Sequence, residues 1–352
     1  MMSNERDILK VENENKLKLG GQSCSKIHNR VGQKLTPEKS ENRVYRLKEI
    51  IQENLIGCDL TICIFKAAVR SYRVESCLRP FPPCFTTGEN EKDFKKLRIA
   101  CNKIPPLQDF LKQPPNQCPD DVSNILTWLF TDSGLPVLKL CKIEDTPLMN
   151  EKHLYKAPPK YVFEVNFTPK VNQTWENRIK QREVFYAFHG SSTDNFYSIL
   201  KFGLQQHFST GKEVLFGNGI YLSTELSVCT NYAPFCSTWS KSILGNRHSI
   251  IAQCEIINDE NEVKCKDEKN KKRAVNTNSL GEIPEKYYVV TNSELVKVKY
   301  LLVYTYKSTP FMKPFIKKNF FWIALIFYCI MLGLVGFFNS PYWRKFVRSI
   351  GF

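Results

Sequence analysis

A chain of 352 residues with 50 Lys and Arg against 35 Asp and Glu carries a formal net charge of +15 and exceeds one ordinary domain, so two folded units are expected. The basic balance fits nucleic acid or an anionic membrane face; with neither zinc-finger spacing nor an RNP-type strand pattern, the membrane face is the better reading and no nucleic-acid partner is expected. The 13 cysteines include no CxxC pair and none of the five histidines stands at ligand spacing, which argues against a structural metal and for reduced cytosolic thiols.

Residues 1–57 are polar, poor in aromatics and without an apolar run that would act as a secretory signal. They are expected to form a largely disordered extension, with a short helix at 43–56 as the exception. From Asp59, read as an N-cap, Leu60, Cys63, Ile64, Ala67 and Ala68 recur at helical spacing and predict a helix burying one face. Val122, Ile125, Leu126, Leu129 and Phe130 repeat that pattern after Asp120 and Asp121. Between them Pro80, Pro82, Pro83, Pro105, Pro106, Pro114 and Pro115 break the stretch into short helices and turns. Residues 58–150 therefore read as a small all-helical domain in which no side chain announces chemistry.

After Pro158 and Pro159 the period changes to two, with Tyr161, Phe163, Val165 and Phe167 alternating with Val162, Glu164 and Asn166. Strand patterns recur at 184–189, 250–257, 287–291 and 298–306. One clear helix interrupts them, starting at Asp194, turning Phe196, Ile199 and Leu200 inward and closing at Gly203. Residues 151–308 are expected to form an α+β domain, with the basic run at 264–273 as a solvated loop.

Residues 320–338 read FFWIALIFYCIMLGLVGFF, 19 residues without a charge between Lys317 and Lys318 on one side and Arg344 and Lys345 on the other. As a helix they reach about 28 Å, close to the thickness of a hydrocarbon core. A buried helix of a soluble protein normally keeps a polar stripe, and this segment has none. It is expected to span a membrane and to leave 339–352 as a short luminal tail. With so little chain after it, insertion follows synthesis and the rest stays cytosolic, which is tail anchoring. The short span favours the thinner endoplasmic reticulum bilayer.

His189 ends a strand that runs into Gly190 and Ser191; alone, such a histidine is more often a satisfied structural group than a catalytic one. The segment LFGNGIYLST at 215–224 sets Gly217 and Gly219 just before Tyr221, with Tyr232 eleven residues on, and Tyr287 opens a later strand. A lone GxG and strand tyrosines are individually weak signals. Together, FHGSSTDNFYSILKFGL at 188–204, LFGNGIYLS at 215–223 and KYYVVTNSELVKVKYLLVY at 286–304 resemble, in the same order, the catalytic domain of the poly(ADP-ribose) polymerase family, the diphtheria-toxin-like ADP-ribosyltransferases.

The resemblance implies an α+β fold, an ADP-ribosyltransferase-like antiparallel or mixed sheet preceded by a small helical domain and followed by the transmembrane helix. It implies NAD as substrate and no metal. His189 would bind the adenine-side ribose, Ser191 in the same motif would be a cofactor-binding residue, Gly190 would hold the nicotinamide amide through its backbone, and Tyr221 and Tyr232 would sandwich the nicotinamide ring. The family hydroxyl that helps hold the amide corresponds to Cys229, and a thiol is a weak donor. Where polymer-forming members carry a glutamate, this chain has Tyr287. A phenol offers a hydrogen bond but no negative charge at neutral pH, so cleavage through an oxocarbenium-like state loses a carboxylate. Single ADP-ribose units are expected instead of polymers.

The His189, Tyr221, Tyr287 triad, the helical domain and the anchor together are similar to the family's tail-anchored endoplasmic reticulum branch. That implies protein acceptors among endoplasmic reticulum membrane proteins, including stress-signalling kinases, and the chain itself. Two other readings stand beside the enzyme: an inactive tethered module that binds NAD or ADP-ribose, and a structural adaptor acting through the helical domain.

Overall fold

A computed structural model of the protein describes residues 37–88, 90–147, 158–206, 215–267, 269–276, 279, 281–306 and 313–343. The disorder expected of 1–36 and the end of the expected luminal tail lie outside these residues. Helix α1 (Pro37–Glu53) falls inside the stretch read as the polar extension, and it buries Val44, Leu47 and Ile51. The boundary at 57 therefore moves back by some twenty residues, because three apolar side chains at one per turn suffice to dock a charged helix that composition alone marks as polar.

Helix α2 (Leu55–Arg70) is buried on every side from Gly57 to Val69, not on one face. Asp59 is consequently not an N-cap. Fully buried one turn inside the helix, its carboxylate accepts hydrogen bonds from the Ser242 hydroxyl and from the Ile243 amide at 3.0 Å. Lys66 is buried too, donating to the Cys101 carbonyl at 2.8 Å, and desolvation draws its pKa down to about 8. Helices α3 (Val74–Cys77) and α4 (Phe94–Lys103) pack against α2, and α5 (Leu107–Lys112) and α6 (Asp120–Thr127) pack against α1. Leu60, Ile62, Ile64 and Phe65 are each at most 1% exposed, and such side chains contribute about 1.5–3 kcal/mol apiece.

The expected all-helical region also contributes a strand. β1 (Val137–Cys141) pairs antiparallel with β2 (Tyr161–Asn166), so the sheet reaches back across the predicted domain boundary. The remaining strands are β3 (Val184–Ser191), β4 (Ile220–Ser223), β5 (Cys236–Ser237), β6 (Arg247–Ile257), β7 (Val263–Lys264), β8 (Tyr287–Val290) and β9 (Val296–Tyr306). They order as β1-β2-β9-β6-β3-β4-β8-β7, with β5 on the flank of β6. The pairings are antiparallel.

Three helices connect these strands. The sequence reading missed α7 (Pro169–Ile179), which buries only Trp175 and so shows no apolar stripe; its one signal is proline in the first turn after Thr168. The expected helix is present as α8 (Phe196–Phe202), led by a 3-10 turn and closed by Gly203 at φ +77°. α9 (Leu226–Thr230) lies over β3 and β4. One core runs from α1 through α2 into the sheet, where the Phe65 and Tyr197 rings lie 5.4 Å apart, and the described residues up to Tyr306 form a single compact unit.

A second unit begins at Lys307. It holds α10 (Lys313–Asn339), whose segment Asn319–Asn339 has a mean hydropathy of 2.4, is unburied within the protein, and is long and apolar enough to cross a membrane.

His248 on β6 is fully buried, with Nδ1 at 2.6 Å from the Thr238 hydroxyl and Nε2 without a partner among the described residues. Desolvation holds its pKa at about 4, below the ordinary 6.5. The unfolded chain thus takes up the proton first: the stability is whole above pH 6.5 and is lost as pH falls toward 4, reaching about 3 kcal/mol. Denaturant midpoints between pH 7 and 5 are expected to fall for the native protein and to fall less for His248→Gln. Parallel curves for the two proteins contradict this assignment.

Candidate active site

β3 and β6 are zipped along the whole of β3, with His189 opposite Ala252 and Gly190 opposite Ile251. On its other side β3 meets β4 through one register pair, Phe188 opposite Ser223. Past that pair a side chain replaces the ladder: His189 Nδ1 lies 2.9 Å from the Tyr221 carbonyl. A carbonyl only accepts, so Nδ1 carries the proton and Nε2 is left as an acceptor. Burial lowers the His189 pKa, more than the bond to Tyr221 raises it, which keeps the ring neutral at pH 7.

Between the diverging strands opens a cavity of about 250 Å³ whose walls include His189, Gly190, Ser191, Ile199 and Tyr221. Gly190 is glycine for a packing reason: a Cβ there would lie 2.1 Å from the Cys229 carbonyl oxygen on α9. Tyr221 is fixed at both polar positions of its phenol. Its hydroxyl donates to the Gly217 carbonyl at 2.7 Å and accepts from the Phe216 amide at 3.1 Å. Gly217 sits at φ +80°, the left-handed region that lets the loop fold back over this hydroxyl.

Tyr287 enters from β8, which pairs with β4 so that Tyr287 stands opposite Ser223. The Phe216 ring joins the two tyrosines, 6.4 Å from Tyr221 and 6.1 Å from Tyr287. His189, Gly190, Ser191 and Tyr221 are therefore brought together around the cavity, whereas Tyr287 does not line it and is linked to Tyr221 through the Phe216 ring.

Two further expected residues are placed away from the cavity. Tyr232 is 64% exposed and does not line the cavity; its amide closes the turn after α9 by bonding the Cys229 carbonyl at 3.1 Å, and its ring faces solvent. Cys229 is buried, and its thiol donates to the Phe188 carbonyl at 3.3 Å. Desolvation pushes that thiol up to about 12, so it is a committed structural donor and not a cavity group.

Several residues of the site escaped the sequence reading. Asn276 is 7% exposed and donates to the carbonyls of Phe216 at 3.2 Å and Asn218 at 2.9 Å, holding the loop in front of Tyr221. Asn195 donates to the Ser191 hydroxyl at 2.9 Å. From the helical segment, Arg73 and Cys77 also line the cavity. Loop and cross-domain contacts of this kind have no period, so nothing in the sequence marks them. Among the described residues no group of three His, Cys, Asp or Glu is placed to hold a metal ion.

The class that this sheet and cleft define is that of the ADP-ribosyltransferases, which take NAD⁺ as substrate. Residues 148–306 match the family described as the poly(ADP-ribose) polymerase catalytic domain, and residues 49–130 match the ARTD15 N-terminal domain. The protein mono-ADP-ribosyltransferase PARP16 of Homo sapiens is 31% identical over 312 residues, covering 85% of this chain and 95% of its own. Its Mus musculus counterpart is 31% identical over 316 residues, covering 86% and 97%. The protein mono-ADP-ribosyltransferase PARP8 of Homo sapiens is 20% identical over 193 residues, 50% of this chain and 22% of its own. The chain belongs to the poly(ADP-ribose) polymerase family.

Proposed function

We propose that the chain cleaves NAD⁺ and transfers single ADP-ribose units to proteins, itself included, while anchored by α10 in the endoplasmic reticulum membrane with its catalytic unit in the cytosol. The observation that carries the reading is Tyr287 on β8, beside the His189 and Tyr221 strands, where polymer-forming relatives hold a glutamate. The names of the human and mouse relatives point the same way.

In this reading His189 Nε2 accepts a hydrogen bond from the adenine-side ribose, and the Gly190 backbone holds the nicotinamide amide. The pyridinium lies on Tyr221, whose ring the Gly217 loop has already oriented; such stacking contributes about 1–3 kcal/mol. The ribosyl C1′ to nitrogen bond breaks, its electron pair leaves on neutral nicotinamide, and an acceptor carboxylate, already ionised at neutral pH, attacks C1′. Tyr287 supplies a hydrogen bond and no charge, so an acidic acceptor brings its own nucleophile. Without a carboxylate to orient the hydroxyl of a bound ADP-ribose, elongation stops at one unit.

Exposed Tyr232 and the committed Cys229 thiol favour the rival reading, an inactive module that binds NAD without turnover. Incubation with NAD⁺ labelled in the adenosine separates them. The enzyme releases one nicotinamide for each label incorporated, whereas binding without release sinks the catalytic reading. The adaptor reading suffers from the shared core: β1 and α2 are built into the sheet, so the helical segment is not a separable module.

The reticulum assignment is supported by the 19-residue uncharged run at 320–338, about 28 Å as a helix, which suits the thinner bilayer. The cytosolic orientation is supported by free thiols such as Cys84, Cys118 and Cys236. In sealed microsomes added protease is expected to remove the catalytic unit, and full protection overturns the orientation.

A further inference from the structure

The cavity draws one wall from the helical segment, and that wall brings its charge. Among the described residues lining the cavity, Arg73 alone carries a formal charge. It is exposed, lies with its guanidinium 5.4 Å from the Tyr72 ring, and donates through one Nη to Asn195 Oδ1 at 3.1 Å. Asn195 in turn donates to the Ser191 hydroxyl, two residues beyond His189. Arg73 thus stands at the far end of a short polar chain that begins at the His-Gly-Ser end of β3.

The contact is not needed to hold the two parts together. Ser71 already donates to Asp194 at 2.6 Å, Tyr197 donates to the Pro80 carbonyl at 3.0 Å, and Phe65 packs on Tyr197. An exposed arginine to amide bond adds little to such a seam. What it does is aim a planar, permanently charged fork, most of whose donors reach no acceptor among the described residues, along the cavity wall.

We infer that Arg73 binds the diphosphate of the dinucleotide, so that the helical segment completes the substrate site of the catalytic sheet. This rests on the proposed NAD⁺ reading. With nicotinamide at Gly190 and Tyr221, the substrate extends past Ser191 and Asn195, and its only anionic group is the diphosphate. Guanidinium is suited to it, because paired N–H donors match two phosphate oxygens.

The test uses the full chain in detergent, with Arg73→Ala, Arg73→Gln and Arg73→Lys. Three readouts are compared: the Kd for ADP-ribose, the Kd for benzamide as a nicotinamide mimic without phosphate, and KM and kcat for NAD⁺. Arg73→Ala and Arg73→Gln are expected to weaken ADP-ribose binding and raise KM about tenfold at low salt, with benzamide binding and kcat unchanged. Arg73→Lys recovers part of the loss, and added salt narrows the gap from the native protein. Unchanged ADP-ribose affinity in both uncharged variants overturns the inference, as does an equal loss of benzamide binding, which marks a structural role. A native protein that binds ADP-ribose through Arg73 but releases no nicotinamide sinks the catalytic reading and leaves this assignment standing.

Discussion

His189→Ala is expected to lower ADP-ribose transfer by about a hundredfold or more while leaving a folded protein, because the change removes a ligand contact and also slackens the strand that carries the stacking ring. The imidazole is the bridge from β3 to β4 beyond their last backbone pair. Without it the Tyr221 carbonyl loses its partner, at a cost on the order of 1–3 kcal/mol. Tyr221 itself remains tied to Gly217 and Phe216, so the damage is a loosened cleft and not an unfolded sheet. Initial rates of labelled ADP-ribose incorporation, read beside a thermal melt, check this. A variant that transfers at the native rate removes His189 from the site.

Gly190→Ala is expected to be worse, for a different reason. The added Cβ would meet the Cys229 carbonyl oxygen at 2.1 Å and its carbon at 2.9 Å. Both atoms are backbone, so no rotamer change relieves the clash. β3 is zipped to β6 along its length, and α9 is held by the Cys229 thiol on Phe188 and by buried Leu226. Whichever moves, packing is lost, at about 3 kcal/mol or more and a melting temperature lower by roughly ten degrees. Activity falls with it, because the strand that displaces is the one that lines the substrate cavity. Gly281→Ala is the control, since a Cβ there meets nothing within 4 Å, and its melt is expected to match the native one. Equal melts for the two variants contradict the packing account.

Much of the sheet was legible because its strands alternate or run apolar. The residues from 184 to 189 and from 250 to 257 declare themselves as strands, and α8 lies between the expected start at Asp194 and its glycine stop. The cavity residues were found through the three matched motifs, since each alone is a commonplace of β-structure. Other features were lost where the physics is not periodic. α7 buries one tryptophan, α1 buries one side chain per turn in a charged background, and α2 is wrapped on all sides, so Asp59 and Lys66 look exposed in sequence and are not. β1 is a strand whose only warrant is its partner β2. The environments of Tyr232 and Cys229 depend on which way a five-residue helix turns, and spacing from Tyr221 does not encode that.

Product length on an acceptor is the most direct measurement of what Tyr287 does. The chain ending at Tyr306, incubated with NAD⁺ and analysed by mass spectrometry of intact protein and peptides, is expected to carry one ADP-ribose at each modified residue. Chains of two or more units on one residue would contradict the account at its centre.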